Sequence, residues 1–286
     1  MNVKHIINEI EKVDPEVYER LDTRRNAMKQ FTGIAGKLAL AAVPIALGGM
    51  FKKAYGQTST TLVGILNYAL TLEYLEAKFY QLGNAAPALI PAGAAATALQ
   101  TIGAHETAHV AFLKTAITSA GGTPVPEPTF DFTGGNGNNA GPFTGVFTNY
   151  ALFLAVAQTF EDTGVRAYKG QASQTALMAN NDVLTAALNI HSVEARHASH
   201  IRQMRKANGG LVPAGVNVKP WITLNQSGIQ SANVQASYDG EELTTQATVN
   251  IINVGGQTIS ASAASEAFDE PLSMAQVLAI VDPFIV

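Results

Sequence analysis

Glu-x-x-His occurs at Glu106–His109 and again at Glu194–His197, and the two copies stand 88 residues apart. A carboxylate and an imidazole one helical turn apart project to one side of a helix. Oxygen and imidazole nitrogen together are a donor set for a transition-metal ion. The same 88-residue offset separates Glu73 from Glu161 and Tyr80 from Tyr168. It also pairs Thr71 with Thr159 and Ile102 with Ile190. One unit, Glu-x6-Tyr followed by Glu-x-x-His, is therefore present twice. Cysteine is absent, so thiolate ligands, disulfides and thiol catalysis are excluded. Any metal chemistry has to run on oxygen and nitrogen.

The elements that carry these residues follow from the periodicity. Val183, Ala187, Ile190, Glu194, His197, Ile201 and Met204 step by four and three, the rhythm of a buried helix seam. Leu99, Ile102, Glu106, His109, Leu113 and Ala116 repeat that rhythm. So do Leu62, Leu66, Ala69, Glu73, Glu76 and Tyr80, and Tyr150, Leu154, Ala157, Glu161, Gly164 and Tyr168. The spacing predicts helices over about 60–81, 93–119, 144–171 and 182–208, the last closed by Gly209–Gly210 and Pro213. Each helix breaks its own apolar seam with a carboxylate near mid-length. A buried unpaired carboxylate costs several kcal/mol, so four at one level of a core demand compensating cations. A pair of bridged divalent ions supplies them. A polar core without metal is the competing reading.

The connections are short, long and short, and the long one, 121–142, is rich in Gly, Pro and Asn. That is the pattern of an all-α four-helix bundle with one long crossover. Three regions follow: 1–57, a bundle over 58–208, and a C-terminal extension over 209–286. In the extension, 263–281 predicts a further helix capped by Asp269 or Ser273. The formal net charge is −4 with 14% charged residues, and no basic stripe is present, which argues against nucleic acid as a partner.

The pairing of Glu on one helix with Glu-x-x-His on the next, repeated across a long crossover, resembles the ferritin-like di-iron and di-manganese carboxylate proteins. The wording L-T-L-E-Y-L-E-A-K-F-Y at 70–80 is similar to the subfamily of exported bacterial and plant desiccation-related proteins. The resemblance implies six metal ligands: Glu73, Glu106, His109, Glu161, Glu194 and His197. It implies that Glu73 and Glu161 each cap one ion and that Glu106 and Glu194 bridge both. It further implies two iron ions, with manganese the alternative, dioxygen or peroxide as the small-molecule partner, and Tyr80 and Tyr168 as hydrogen-bond donors behind the ligands. The activity to expect is oxidation of ferrous iron or disposal of peroxide. The alternative is a non-enzymatic, stress-related or scaffold protein whose metal is structural or vestigial. A homo-oligomer is compatible with either.

Arg24–Arg25, an apolar run over 38–51 and a small-residue exit at 54–57 resemble a twin-arginine export signal. The run is shorter than the ~20 residues of a membrane span. The expectation is a periplasmic or cell-envelope protein exported by the twin-arginine machinery, with a membrane anchor as the alternative. Several further residues carry weaker expectations. Glu76 is either a seventh ligand or an acid behind the ligands, and Gly164 is its counterpart. His105, His191 and His200 lie off the seam and are expected at the surface or the rim. His105 and Val193 stand where related proteins place an acid that holds the opposite histidine. Asp162 and Arg166 are spaced for a local ion pair. Glu266, Asp269 and Glu270 are expected as surface acids.

Overall fold

The computed structural model describes residues 61–208 and 211–286. The export signal expected within 1–57 and the helix stop at Gly209–Gly210 lie outside the described residues. The described residues fall into two units, one holding Thr245–Val249 and the second holding 61–244 and Asn250–Val286. The first includes the two-residue strand β1, Thr245–Gln246. A second short strand, β2, is Val249–Asn250.

Four long helices make the bundle of the second unit. Helix α1 is Leu62–Ala85, α2 Ala94–Ser119, α3 Tyr150–Ala172, and α5 Asn181–Asn208. A single turn, α4, Thr175–Met178, precedes α5. Helix α1 packs most closely on α2, and α3 on α5, so the bundle is two helical hairpins laid together. No helix among the described residues is long and apolar enough to cross a membrane.

The starts are set by caps. Thr61 Oγ1 accepts from Gly64 N at 3.2 Å and begins α1. Helix α3 begins at Tyr150, six residues later than its periodicity suggests. Asn149 Oδ1 accepts from Leu152 N at 3.1 Å, and Gly145 has φ +86°, which turns the chain just before the cap. Asn180 Oδ1 likewise accepts from Val183 N at the start of α5.

The crossover holds its own shape. The buried Asp131 carboxylate accepts from Thr133 N and Oγ1, Gly137 N and Asn139 N. Phe132, Phe143 and Phe147 from this segment join Phe79, Phe153 and Phe160 in one aromatic group, where Phe79 and Phe153 stack at 4.7 Å. A second apolar cluster gathers Leu66, Leu70, Leu113, Ile117 and Ile190 toward the other end of the helices. The seam carboxylates sit between these two apolar levels.

The extension packs on α3 and α5. Helices α6, Ala261–Ser265, and α7, Met274–Val281, lie in it, and Ser273 caps α7 with a full capping box through Gln276. Leu272 N donates to Arg166 O, and a β-carbon at Gly170 would strike the Leu272 carbonyl, so only glycine permits this approach. The expected Asp162–Arg166 pairing is not what forms. Asp162 pairs with Arg202 and accepts from Tyr238 Oη, whereas Arg166 Nε lies 2.7 Å from Glu241 Oε1. Both side chains are buried, and a buried charge takes its partners from the elements that enclose it. Arg166 also donates to the carbonyls of Ser237, Asp239 and Glu270, stitching the extension to the bundle. Two of the three expected surface acids are likewise engaged: Glu270 is buried, and Glu266 pairs with Lys219 and Thr223.

Candidate metal centre

Glu73 comes from α1, Glu106 and His109 from α2, Glu161 from α3, and Glu194 and His197 from α5. The structure brings all six together. Their ligand atoms form two groups, each within 4.8 Å: Glu73, Glu106, His109 and Glu194, and Glu106, Glu161, Glu194 and His197. Glu106 and Glu194 belong to both groups, although 88 residues separate them. All four glutamates are fully buried, His197 is buried, and the His109 side chain is 12% exposed.

The two imidazoles sit in matching surroundings. His109 Nδ1 lies 3.2 Å from Glu73 Oε2, 3.1 Å from Glu106 Oε2 and 3.1 Å from Glu194 Oε1. His197 Nδ1 lies 2.8 Å from Glu106 Oε1, 3.2 Å from Glu161 Oε2 and 3.4 Å from Glu194 Oε2. One ring nitrogen carries at most one proton, yet each faces three carboxylate oxygens. Glu106 Oε1 and both oxygens of Glu194 accept no directed hydrogen bond despite burial. Orphaned buried carboxylate oxygens are costly, and a cation removes that cost. Donor atoms at right angles about an ion and ~2.1 Å from it stand roughly 3 Å apart, which is the spacing found here. The residues fit a pair of divalent ions. Glu106 and Glu194 would be shared between the two, Glu73 and His109 would complete one, and Glu161 and His197 the other.

Two tyrosines orient the outer carboxylates, each across the hairpin boundary. Tyr168 Oη of α3 donates to Glu73 Oε1 on α1, and Tyr80 Oη of α1 donates to Glu161 Oε1 on α3. Each bond holds the outer oxygen and turns the other, Oε2, toward the imidazole side. Burial and the adjacent carboxylate push both phenols well above their ordinary range, so they remain donors.

Protons balance the charge when cations do not. Burial, together with the neighbouring Glu194, pushes the Glu73 carboxyl well above the usual range. Burial does the same to Glu161, with Glu106 and Glu194 adding to it. For the imidazoles burial works in the opposite sense, but the surrounding carboxylates raise both His109 and His197 to about 12. Burial opposes the Glu194 charge too, yet the two imidazoles beside it hold this carboxyl down to about 2. The cluster thus holds two imidazolium groups and an ionised Glu194 beside the carboxyls of Glu73 and Glu161, which are kept neutral.

Glu76 is buried beside the cluster, and burial and the Glu194 charge raise its carboxyl well above the usual range. It lies outside both four-residue groups. Gly164 makes room for it, since a β-carbon there would come within 3.1 Å of Glu76 Oε1.

His105 sits at the rim as expected and yet reaches the centre. Its ring is exposed, but Nδ1 lies 2.9 Å from His197 Nε2 and the two rings are within 13° of parallel. Burial and the neighbouring His197 charge hold His105 below its ordinary value, so its Nδ1 is free to accept the His197 Nε2–H. The signal for this was its position immediately before Glu106, where related proteins carry an acid. His191 Nδ1 donates to Val165 O and is half-buried, while His200 is exposed.

A bundle of two hairpins with one long crossover, holding two acid-and-imidazole groups that share a pair of glutamates, has the architecture of the ferritin-like four-helix bundles. The family model for the ferritin-like domain matches residues 61–207, and the chain belongs to that family. The comparison with curated proteins gives no match.

Proposed function

We propose that the centre binds two ions, iron or manganese, and that its activity is oxidation of ferrous iron by dioxygen or the disposal of peroxide. The observation that carries this reading is the sharing of Glu106 and Glu194 between two otherwise separate sets of ligand atoms. When bound there, ferrous ions supply one electron each, while dioxygen takes up two electrons and two protons and leaves as hydrogen peroxide. The residues of the chain provide the setting. Glu73 and Glu161 present one oxygen inward while Tyr168 and Tyr80 hold the other. His109 and His197 must release a proton before Nδ1 can bind a metal, so ion uptake expels protons from the cluster. His105 keeps His197 oriented with Nδ1 inward. The apolar levels above and below exclude water. An export signal within 1–57 would place this chemistry in the cell envelope.

Metal analysis decides the reading. Protein reconstituted anaerobically with ferrous iron is expected to hold two equivalents per chain and to oxidise them on admission of air. A chain that binds no metal after reconstitution overturns the proposal and leaves a polar core balanced by protons.

A further inference from the structure

An apolar cavity lies inside the bundle immediately beside the Glu73–His109 half of the centre, and all four long helices contribute to its wall. Ala69 lies one turn before Glu73, Leu113 one turn after His109, and Ile190 one turn before Glu194. Tyr168 belongs to the wall and donates to Glu73, so a single side chain touches both the cavity and the centre. Phe112, 40% exposed, and Ala187 of α5 also line it.

Size and chemistry select the occupant. The volume is about 20 Å³. One water needs about 10–15 Å³ by this measure, and an aromatic ring needs a cavity of order 150 Å³, so only a molecule of one or two heavy atoms fits. The wall is hydrocarbon. Among the lining residues, Tyr68 Oη and Gln171 Nε2 are shut away and make no hydrogen bond within the protein, and Tyr168 Oη is taken by Glu73. Water, peroxide or an ion would lose hydrogen bonds on entering, and water in a buried site needs two to four polar partners. Dioxygen loses none.

We infer that this cavity is the docking site for dioxygen, which reaches the Glu73–His109 half of the centre past Tyr168. The inference rests on the dimetal reading above and adds which oxidant the site admits and from which side. Ala187 is the place to test it, since it lines the cavity, is half-buried and touches none of the ligands.

Crystals of the metal-free full chain under xenon pressure are expected to show a xenon atom between Ala69 and Ala187. Ala187→Phe, or Ala187→Leu should the larger ring impair folding, is expected to remove that atom with the melting temperature little changed. Access-limited rates among variants of one site move over about one to three decades, so dioxygen-driven oxidation of bound ferrous iron is expected to slow about tenfold. Oxidation driven by added peroxide is expected to keep its rate. Absence of xenon from the wild-type cavity overturns the inference, as does an unchanged dioxygen rate in the filled variant. Equal slowing with peroxide overturns the selection of dioxygen. Xenon uptake without any metal uptake overturns the dimetal reading while the gas site stands.

Discussion

The two halves of the centre carry the same acid and imidazole groups and different surroundings. Glu73, His109 and Tyr80 have exact 88-residue counterparts in Glu161, His197 and Tyr168. Behind the rings the likeness ends. His197 is held at Nε2 by His105, whereas the residue that occupies the equivalent position for His109 is Val193, which has nothing to offer a ring nitrogen. Glu76 adds a fifth buried carboxyl, and its counterpart Gly164 gives up its side chain to make room. The hydrocarbon cavity adjoins the Glu73–His109 half. The repeat therefore preserves the acid and imidazole groups that would hold metal and lets the shell around them diverge. Two ions bound here would be inequivalent in affinity and in access.

The largest expected effect tests what the halves share. Glu194→Ala with His197→Ala removes a carboxylate common to both ligand groups and one of the two imidazoles. Metal content is expected to fall from two equivalents per chain to none, with the helical circular dichroism largely retained. Two metals still bound to that variant, by elemental analysis, would show that the shared carboxylate is no bridge.

A smaller effect tests what the halves do not share. Loss of a group that orients a metal-binding histidine typically weakens affinity by about 10–100-fold. His105→Ala is expected to weaken one of the two ions by that factor and leave the other unchanged, with His105→Gln recovering part of the loss. Val193→Ala is expected to alter neither. Titration with ferrous or manganous ions resolves the two steps, and equal weakening of both would remove the asymmetry.

The remaining effect is on stability against pH, and what is expected is its direction. In the metal-free fold His109 and His197 keep their protons up to about 12, whereas an unfolded chain releases them near 6.5. The stability they contribute is complete below about 6.5 and is lost progressively as pH rises toward about 12. Glu73 and Glu161, held neutral by burial, act in the same direction, because the unfolded chain ionises them above about 4.3. The metal-free protein is therefore expected to melt at a lower temperature at about pH 9 than at about pH 6. Metal ions displace those protons, so the gain in melting temperature on adding metal should grow over the same interval. Calorimetry with and without metal reads both trends. A metal-free melting temperature that climbs with pH would mean that the imidazoles do not share protons with the carboxylates.

Much of the bundle was legible because helical periodicity is local. A step of three and four residues decides which side chains share a face, and each helix placed its glutamate on the apolar face. The 88-residue offset then put those breaks at one level. Helix starts were less legible. Asn149 delays α3 because a cap and a turning glycine outweigh six residues of compatible pattern. Asp162 and Arg166 show the limit of the same logic. Their i, i+4 spacing describes an isolated helix, but both are enclosed by α5 and the extension, and the enclosing groups take them as partners.

By itself the sequence determined that four amphipathic helices would each present acid, and two of them imidazole as well, to a common core. That much follows from residue type and from 3.6 residues per turn. Only the tertiary structure decided that Tyr80 serves the glutamate of the other hairpin, that Tyr168 does the reverse, and that an exposed His105 backs the buried His197. Such contacts join residues 81 to 95 positions apart. Their existence depends on which helices abut and at what height, and a periodic pattern read along one chain is the same whichever neighbour it meets.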